Sequence, residues 1–220
     1  VKIYNDFLHK QGTIKFDAIK KLLDAGDTTL VCDHVHGSTR GRPGAVLDYP
    51  KCLISLRTAN DPLFGGVAPE PSSKNLEGVR NVLNAAKTKY RVGCIMDPDG
   101  DRVRFYDGTR EIDMNSFGAL AFHYMYVHRK EKGCVAKSVA TSNFVNIIAE
   151  KLGAPIHETA VGFKNFRPYL SRDAKEKALI AFEESDGISG LNNTLEKDAQ
   201  FGLLLALEIV ATTGKNLGEY

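Results

Sequence analysis

The sequence predicts an α/β protein of two consecutive three-layer domains, each with a mixed, mostly parallel sheet. Short apolar runs typical of buried strands alternate with longer segments of helical periodicity, and this alternation is typical of βαβ units. The pattern occurs about twice, with roughly 110 residues in each round, which is an ordinary domain size. A turn signal, Asp107-Gly108, separates the two rounds. We therefore expect one domain at 1–107 and a second at 108–220.

The first round contains two helices and three strands before the turn signal. Residues 16–23 have helical spacing and are followed by Gly26, a helix stop signal. In a second predicted helix, at 75–87, the apolar side chains fall on one face: Leu76, Val79, Val82, Leu83 and Ala86. Buried strands are predicted at 28–33, 51–56 and 90–96.

The second round begins with a hairpin around Asp107-Gly108, between the runs 104–106 and 110–112. A helix is predicted at about 115–129. A further helix has an apolar face made of Phe144, Ile147, Ile148 and Leu152. Strands are predicted at 135–140, 155–159 and 178–182, and a long helix rich in Leu and Ala at 198–212.

Composition excludes several partners without naming a function. The chain is 43% hydrophobic and 25% charged, with a net charge of +2, which is ordinary for a soluble globular protein and indicates no nucleic-acid or membrane partner. No apolar run is long enough to span a bilayer, and the amino terminus does not resemble a signal peptide. The four cysteines contain no Cys-x-x-Cys pair, and three lie in strand-like runs, which favours reduced, buried thiols. We expect a cytoplasmic protein.

A short acidic loop at 97–102 is the most informative segment of the chain. Asp97, Asp99 and Asp101 alternate with Pro and Gly and are followed by Arg102. Like charges so close together repel unless a cation lies among them, and Mg²⁺ takes carboxylate and phosphate oxygens. The loop follows the predicted strand at 90–96, and α/β sheets bind ligands at the carboxyl ends of strands. We therefore predict a Mg²⁺ site, with Arg102 suited to a phosphoryl group.

Three other interpretations of the acidic loop were weighed. An EF-hand needs Gly at the sixth position and Glu at the twelfth, where this chain has Arg102 and Gly108. An aspartyl-phosphate phosphatase of the haloacid-dehalogenase type has Asp-x-Asp-Gly-Thr near the start of its domain, whereas here Asp101 replaces the Thr and the loop is mid-chain. An acidic surface turn also remains open, since Asp-Pro and Asp-Gly are ordinary turn dipeptides.

Three further segments carry candidate chemistry. In 182–190, directly after a predicted strand, several carboxylates and a hydroxyl on a Gly-bearing loop suit the binding of neighbouring sugar hydroxyls, although a solvated loop is the alternative. In 161–166, Lys164 suits a phosphate contact or proton transfer, although an ordinary loop lysine is the alternative. The segment 34–44 resembles a phosphate-cradling loop but lacks the established glycine pattern. For His34 and His36 we favour hydrogen-bonded structural roles over metal binding.

Together these segments resemble the α-D-phosphohexomutases, the family of phosphoglucomutase and phosphomannomutase. The metal loop of that family reads Asp-Gly-Asp-Gly-Asp-Arg, which residues 97–102 match except for Pro98. Residues 183–187 are similar to its sugar-binding loop, Gly-Glu-Glu-Ser-Gly-Gly, with Asp186 in place of a Gly. Residues 158–164 are similar to its Glu-Thr-Pro-Val-Gly-Phe-Lys. The resemblance extends through essentially the whole chain, with further short matches at 36–37, 69–71 and 139–142.

The resemblance implies a reversible transfer of phosphate between C1 and C6 of a hexose, through a phosphoserine and a hexose 1,6-bisphosphate. It implies that Asp97, Asp99 and Asp101 hold Mg²⁺, that Arg102 contacts the phosphate, and that Glu183 and Ser185 bind the 3- and 4-hydroxyls. Lys164 is implied as a phosphate contact or general acid/base. Gly187 stands where some relatives have a His, so that acid/base role is not transferred.

The resemblance also implies that this sequence is a central fragment of a longer chain. Family members have four domains, of which the first carries the phosphorylated serine in Thr-Ala-Ser-His-Asn-Pro and the fourth a phosphate-binding loop. Neither motif occurs in these 220 residues, which match domains 2 and 3, so we expect the fragment alone to be inactive. Two other classes remain open: a Mg²⁺-dependent aspartyl-phosphate phosphatase, and a non-catalytic metal-binding or interaction module.

Overall fold

Two β-sheets, formed by successive parts of the chain, organise the structure, a computed structural model that describes residues 2–220. The strands of the first sheet are β1 (Thr28–Asp33), β2 (Leu53–Leu56), β3 (Tyr90–Met96), β4 (Val103–Tyr106) and β5 (Glu111–Ile112). Their order is β2-β1-β3-β4-β5. β2, β1 and β3 run parallel, whereas β4 and β5 are antiparallel to their neighbours. The β4–β5 hairpin places the Asp107-Gly108 turn at the edge of this sheet.

The second sheet has four strands in the order β7-β6-β8-β9. They are β6 (Cys134–Ser138), β7 (Ile156–Thr159), β8 (Ala178–Glu183) and β9 (Gly187–Gly190). β7, β6 and β8 are parallel, and β9 returns antiparallel to β8. Both sheets are thus mixed, and the predicted fold class is confirmed.

Eight α-helices of the described part of the chain cover the sheets: α1 (Lys2–Gln11), α2 (Phe16–Asp24), α3 (Arg42–Val46), α4 (Glu77–Ala85), α5 (Met114–His123), α6 (Phe144–Leu152), α7 (Arg167–Leu170) and α8 (Ala199–Thr213). A π-helical turn, Tyr124–His128, extends α5, and short 3-10 turns occupy Phe64–Gly66 and Phe163–Phe166. None of the helices within residues 2–220 is long and apolar enough to cross a bilayer.

The first sheet is the middle layer of three. Because side chains alternate along a strand, Val31 and Ile95 face one side of the sheet and pack with Leu83 of α4. Leu30 and Val92 face the other side and belong to the apolar cluster that includes the buried residues of α2 and α8. Burial of both faces explains why apolar residues follow one another without alternation at 30–32 in β1 and 94–96 in β3.

The second sheet is layered in the same way. Val135 and Phe182 pack with α5 in the larger apolar cluster. Cys134 and Ala136 face the opposite side, where Phe166 and neighbouring residues form a smaller cluster. Helix, sheet and helix therefore form three layers here as well.

Helix α8 joins the two sheets through one continuous core. The carboxylate of Asp198 caps it by accepting hydrogen bonds from the backbone N–H groups of Gln200 and Phe201. The helix contacts β3 and β4 of the first sheet and β9 of the second. At Gly202 an added Cβ would lie 2.9 Å from Val103 and 3.0 Å from Ile188. Glycine therefore permits the helix to approach both sheets at once.

Candidate active site

Two loops at the carboxyl ends of β3 and β8 meet at the junction of the sheets. The first, which we call the metal loop, comprises residues 97–102; the second, the hydroxyl loop, comprises residues 183–187. The backbone N–H of Val103 donates to the carbonyl of Asp186 at 2.9 Å, and Arg102 forms an antiparallel bridge with Gly187. The structure thus brings together two predicted segments that lie about 80 residues apart in the sequence.

Asp97 organises the metal loop from inside. Its side chain is buried, and its Oδ1 accepts hydrogen bonds from the backbone N–H groups of Gly100, Asp101 and Arg102 at 3.2, 3.0 and 3.0 Å. Its Oδ2 accepts a hydrogen bond from the Nε of Arg102 at 2.6 Å. One carboxylate therefore satisfies three backbone donors of the turn and fixes the guanidinium beside them.

The three loop carboxylates form a donor set that fits a hard divalent cation. Each of Asp97, Asp99 and Asp101 offers an oxygen, and these oxygens lie within 4.8 Å of one another. Asp99 is exposed, whereas Asp101 pairs with the Nζ of Lys197 at 2.6 Å. Burial raises the pKa of Asp101, and the hydrogen bond from Lys197 opposes this rise. Three oxygen donors of this kind are a Mg²⁺ type of ligand set.

The segment that follows β1, at 34–44, packs against the metal loop. An added Cβ on Gly37 would lie 2.2 Å from the Cα of Pro98, so only glycine fits at this contact. The backbone N–H of Ser38 donates to the Pro98 carbonyl at 2.6 Å, and its hydroxyl donates to the carbonyl of Asp99 at 3.2 Å. The residue that departs from the family motif, Pro98, is accommodated in this way.

Both histidines of this segment are hydrogen-bonded, as the sequence indicated. His34 is buried, with its Nδ1 2.9 Å from the Oγ1 of Thr39, and the Nδ1 of His36 lies 3.0 Å from the carbonyl oxygen of Ala59. Burial lowers the pKa of His34 to about 4, so its imidazole is neutral near pH 7. Thr39 in turn contacts Gly100 of the metal loop. His34 therefore supports the metal loop indirectly, through its hydrogen bond to Thr39.

Glu183 and Ser185 of the hydroxyl loop differ in their exposure to solvent. Glu183 ends β8, its side chain is mostly buried, and its Oε1 accepts a hydrogen bond from the N–H of Gly162 at 2.7 Å. Its Oε2 accepts no hydrogen bond from residues 2–220. Burial raises the pKa of Glu183, which the Gly162 N–H opposes. Ser185 is exposed. Between them, Glu184 turns away and accepts a hydrogen bond from Ser138 at 2.8 Å.

Asp186 completes the hydroxyl loop in an unusual backbone conformation. Its φ of +72° lies in the left-handed region, which aspartate tolerates better than most residues. Its carboxylate is buried against the guanidinium of Arg104, which lies in β4. Burial raises the pKa of Asp186 to about 6, although the hydrogen bonds from Arg104 act in the opposite direction.

Lys164 lies beside the hydroxyl loop without contacting the metal loop. It is exposed on the 3-10 turn Phe163–Phe166, which the two buried phenylalanines anchor to the sheet. The turn is held to Glu183 through the N–H of Gly162. Within residues 2–220, the ammonium of Lys164 forms no hydrogen bond or ion pair. It therefore remains accessible to an anionic ligand.

Sequence reasoning missed Lys197, a cation that contacts the metal loop. It precedes the cap of α8, and its Nζ reaches Asp101 of the metal loop. Although burial acts in the opposite direction, the hydrogen bond to Asp101 raises the pKa of Lys197, and the charge of Glu183 adds to this rise. Lys197 thus lies within electrostatic reach of both loops. A single lysine in a polar run had no pattern to reveal this, and 96 residues separate it from Asp101.

These features define a protein of two α/β units that carries a divalent-cation donor set next to a buried carboxylate, where two loops converge. Two family models match successive parts of the chain. A profile described as "Phosphoglucomutase/phosphomannomutase, alpha/beta/alpha domain II" matches residues 2–110, and one for domain III matches residues 113–220. The chain belongs to the phosphoglucomutase/phosphomannomutase family.

Individual relatives agree with this assignment. Phosphoglucomutase 1 of Drosophila melanogaster is 30% identical over 169 residues, which cover 74% of this chain and 29% of the relative. The crystal structure of pp63/parafusin (phosphoglucomutase) from Paramecium, in its open form, superposes with a TM-score of 0.80 at 23% identity, over 98% of this chain and 38% of that one.

A third relative has known ligands. N-acetylphosphoglucosamine mutase of Aspergillus fumigatus, crystallised with GlcNAc-6P and magnesium, has a TM-score of 0.64 at 18% identity, over 94% of this chain and 52% of that one. The present chain thus spans between about a third and a half of the length of these relatives.

Proposed function

We propose that this chain is the metal- and sugar-binding part of a phosphohexomutase that interconverts hexose 1-phosphate and hexose 6-phosphate through a phosphoserine and a hexose 1,6-bisphosphate. Residues 1–107 would be its second domain and residues 108–220 its third. The observation that carries the proposal is the backbone contact between Val103 and Asp186, since it places a carboxylate cluster and a hydroxyl-binding loop side by side. A phosphosugar needs both kinds of group at once.

The metal loop would hold Mg²⁺ through Asp97, Asp99 and Asp101. When bound, Mg²⁺ neutralises charge on a transferring phosphoryl group. Arg102 would contact that group, because its Nε is fixed by Asp97 while its two terminal nitrogens donate no hydrogen bond within residues 2–220. A guanidinium held in this way offers a prearranged fork to phosphate oxygens.

The hydroxyl loop would orient the sugar ring. The Oε2 of Glu183 has no protein donor, so it is positioned to accept a hydrogen bond from a ring hydroxyl, and the exposed Ser185 hydroxyl would bind the neighbouring one. If these are the 3- and 4-hydroxyls, the same contacts serve both orientations of a bisphosphorylated hexose. A buried carboxylate left without its hydroxyl donor is costly, which favours binding of a vicinal diol.

Two lysines would complete the site. The exposed ammonium of Lys164 would contact the phosphate distant from the metal loop, or transfer a proton to a sugar oxygen. Lys197 would hold Asp101 in place and reduce the net negative charge of the carboxylate cluster before a cation enters. Its pairing with Asp101 at 2.6 Å is the support for this role.

The competing activity, an aspartyl-phosphate phosphatase, is disfavoured by the motif. In place of the Thr of Asp-x-Asp-Gly-Thr this chain has Asp101, whose carboxylate pairs with the Nζ of Lys197 at 2.6 Å.

The test is a coupled mutase assay of the full-length protein with Mg²⁺, hexose 1,6-bisphosphate and either glucose 1-phosphate or mannose 1-phosphate. We expect turnover with at least one substrate, and a large loss of turnover and of Mg²⁺ affinity in Asp99→Asn, because one anionic ligand becomes neutral. Asp17→Asn, an exposed position on α2, is the matched control and should remain active.

Two outcomes of this assay would contradict the proposal. One is near-wild-type turnover by Asp99→Asn, which would exclude Asp99 as a ligand. The other is sustained turnover by residues 1–220 alone, because the proposed phosphoserine lies in another domain of the family.

A further inference from the structure

A second group of potential metal ligands lies at the opposite end of the second sheet. Cys134 is the first residue of β6, His157 the second residue of β7, and Glu176 precedes β8 by two residues. β7, β6 and β8 are parallel neighbours, so the three residues share the amino-terminal edge of the sheet. The metal and hydroxyl loops follow the carboxyl ends of β3 and β8, so these residues take no part in the site described above.

The donor atoms of the three residues converge. The Sγ of Cys134, a ring nitrogen of His157 and a carboxylate oxygen of Glu176 lie within 4.8 Å of one another. Cys134 is fully buried, whereas the side chains of His157 and Glu176 are 30% and 40% exposed. The thiol therefore forms the floor of a small recess, and the imidazole and the carboxylate form its rim.

The ring of His157 has a defined orientation. It stacks on Tyr169 with 4.3 Å between ring centroids and an interplanar angle of 18°. Its Nε2 points to Glu176, 2.6 Å from Oε2. One residue from each of three neighbouring segments of the sheet thus contributes to this group. Burial holds Cys134 in place, and stacking on Tyr169 orients His157.

We propose that Cys134, His157 and Glu176 form a Zn²⁺ site, with water as the fourth ligand. A thiolate, an imidazole and a carboxylate are all zinc ligands, and four-coordinate tetrahedral geometry is what zinc prefers. The sulfur and nitrogen donors distinguish this site from the all-oxygen metal loop, which suits Mg²⁺. The two sites would therefore take different ions.

Binding requires only local changes. Tetrahedral bonds of about 2.0–2.2 Å from zinc to nitrogen and oxygen hold these two atoms about 3.3 Å apart, so the His157–Glu176 hydrogen bond opens by less than 1 Å. Glu176 lies at the surface and precedes the strand, so it is the residue that moves. The Cys134 S–H bond breaks as the S–Zn bond forms, and its proton passes to solvent.

The bound ion would act as a structural crosslink. β7 is the edge strand of its sheet, and an edge strand has hydrogen-bond partners on one side only. Zn²⁺ would connect β7 to the start of β6 and to the segment that leads into β8. The expected consequence is a higher melting temperature of the metal-loaded chain, since a ligand that binds only the folded state stabilises it.

The test is a titration of the 220-residue chain with Co²⁺ as a spectroscopic substitute for Zn²⁺, followed by displacement with Zn²⁺. Wild type should develop a thiolate-to-Co²⁺ charge-transfer band that Zn²⁺ abolishes, and Zn²⁺ should raise its melting temperature. In Cys134→Ala the band should be absent. In His157→Gln the Kd for Zn²⁺ should rise by more than about 100-fold, beyond the cost of losing an outer-shell partner.

Two control variants separate this site from the other thiols and from the metal loop. Cys52→Ala removes a half-buried thiol elsewhere, and Asp99→Asn alters the metal loop; both should keep the band and the Zn²⁺ response. Melting curves without added metal show whether Cys134→Ala and His157→Gln are folded. Absence of a thiolate band in wild type, or a band that survives in folded Cys134→Ala, would overturn the proposal.

Discussion

Arg104 of β4 and Asp186 of the turn between β8 and β9 form a bidentate ion pair, in which the Oδ2 of Asp186 accepts a hydrogen bond from Nη2 of Arg104 at 2.8 Å. The Nε of Arg104 donates to Oδ1 of the same carboxylate at 3.1 Å. The remaining terminal nitrogen of Arg104 donates to Glu111 of β5 at 3.0 Å. The ion pair thereby holds β4, which directly follows the metal loop, to the hydroxyl loop.

Replacement of Arg104 should destabilise the chain strongly. Arg104→Met leaves the carboxylate of Asp186 buried without a counter-ion, and the loss of one partner of a buried pair costs about 3 kcal/mol or more. We expect a corresponding fall in the free energy of unfolding, measured by urea denaturation of the 220-residue chain at pH 7.

The double variant Arg104→Met/Asp186→Gly is the control for this prediction. It removes both charges, and glycine adopts a φ of +72° without steric cost, so most of the lost stability should return. A double variant as unstable as the single one would show that Arg104 acts through Glu111 or through packing instead.

His34 should make the chain sensitive to mild acid. Its pKa is about 4 in the folded chain, against 6.5 for an unburied histidine. Between these values the unfolded state binds more protons, so the contribution of His34 to stability is complete above pH 6.5 and is lost as the pH falls towards 4. The free energy of unfolding of wild type should therefore fall by about 2–3 kcal/mol more than that of His34→Gln across this window.

The comparison with His34→Gln isolates one group, because Asp186 and the other acids titrate in both proteins. Urea denaturation at pH 7, 6, 5 and 4 provides the measurement. Parallel stability curves for the two proteins would mean that His34 does not titrate with this shift.

Glu183→Gln should impair both directions of the proposed mutase reaction to a similar extent. The glutamine loses the negative charge that receives a sugar hydroxyl, and the same hydroxyls are held in each orientation of the intermediate. Steady-state rates of the full-length protein with hexose 1-phosphate and with hexose 6-phosphate provide the measurement. Glu150→Gln, an exposed position on α6, is the matched control. A defect confined to one direction would exclude the shared role.

Lys197→Gln should increase the affinity of the 220-residue chain for Mg²⁺. In the structure the ammonium of Lys197 holds Asp101, so a cation must compete with it for that carboxylate. Removal of one positive charge beside three carboxylates also favours a divalent ion electrostatically. Calorimetric titration with Mg²⁺ measures the effect, and Lys20→Gln on α2 is the control. Unchanged or weaker binding would contradict the competition.

The sequence predicted those parts of the fold that have local periodic patterns. The strands β3 and β8 are largely apolar runs, and α2, α4 and α8 appeared near their observed limits. The sequence analysis missed α1, α3, α7 and β9. β9 contains a single apolar residue, Ile188, between glycines and a serine, and only its pairing with β8 makes it a strand.

The predictability of the candidate site follows the same rule. Asp97, Asp99 and Asp101 lie in one turn, so their convergence is readable from spacing alone. Lys197 and Arg104 approach their partners only through folding, and no spacing in the sequence encodes contacts across 96 and 82 residues. The segment after β1 was of uncertain meaning because its role, the support of Pro98 by Gly37, depends on a close contact between backbones.

The close approach of α8 at Gly202 has a mechanical consequence. Helix α8 packs closely against both Val103 of the first sheet and Ile188 of the second. Closely packed interiors transmit force rather than deform. The metal loop and the hydroxyl loop would therefore move together. In the proposed reaction a bisphosphorylated sugar reverses its orientation, and the two loops would keep a fixed position relative to each other while it does so. The hinge that releases the sugar would then have to lie outside this contact.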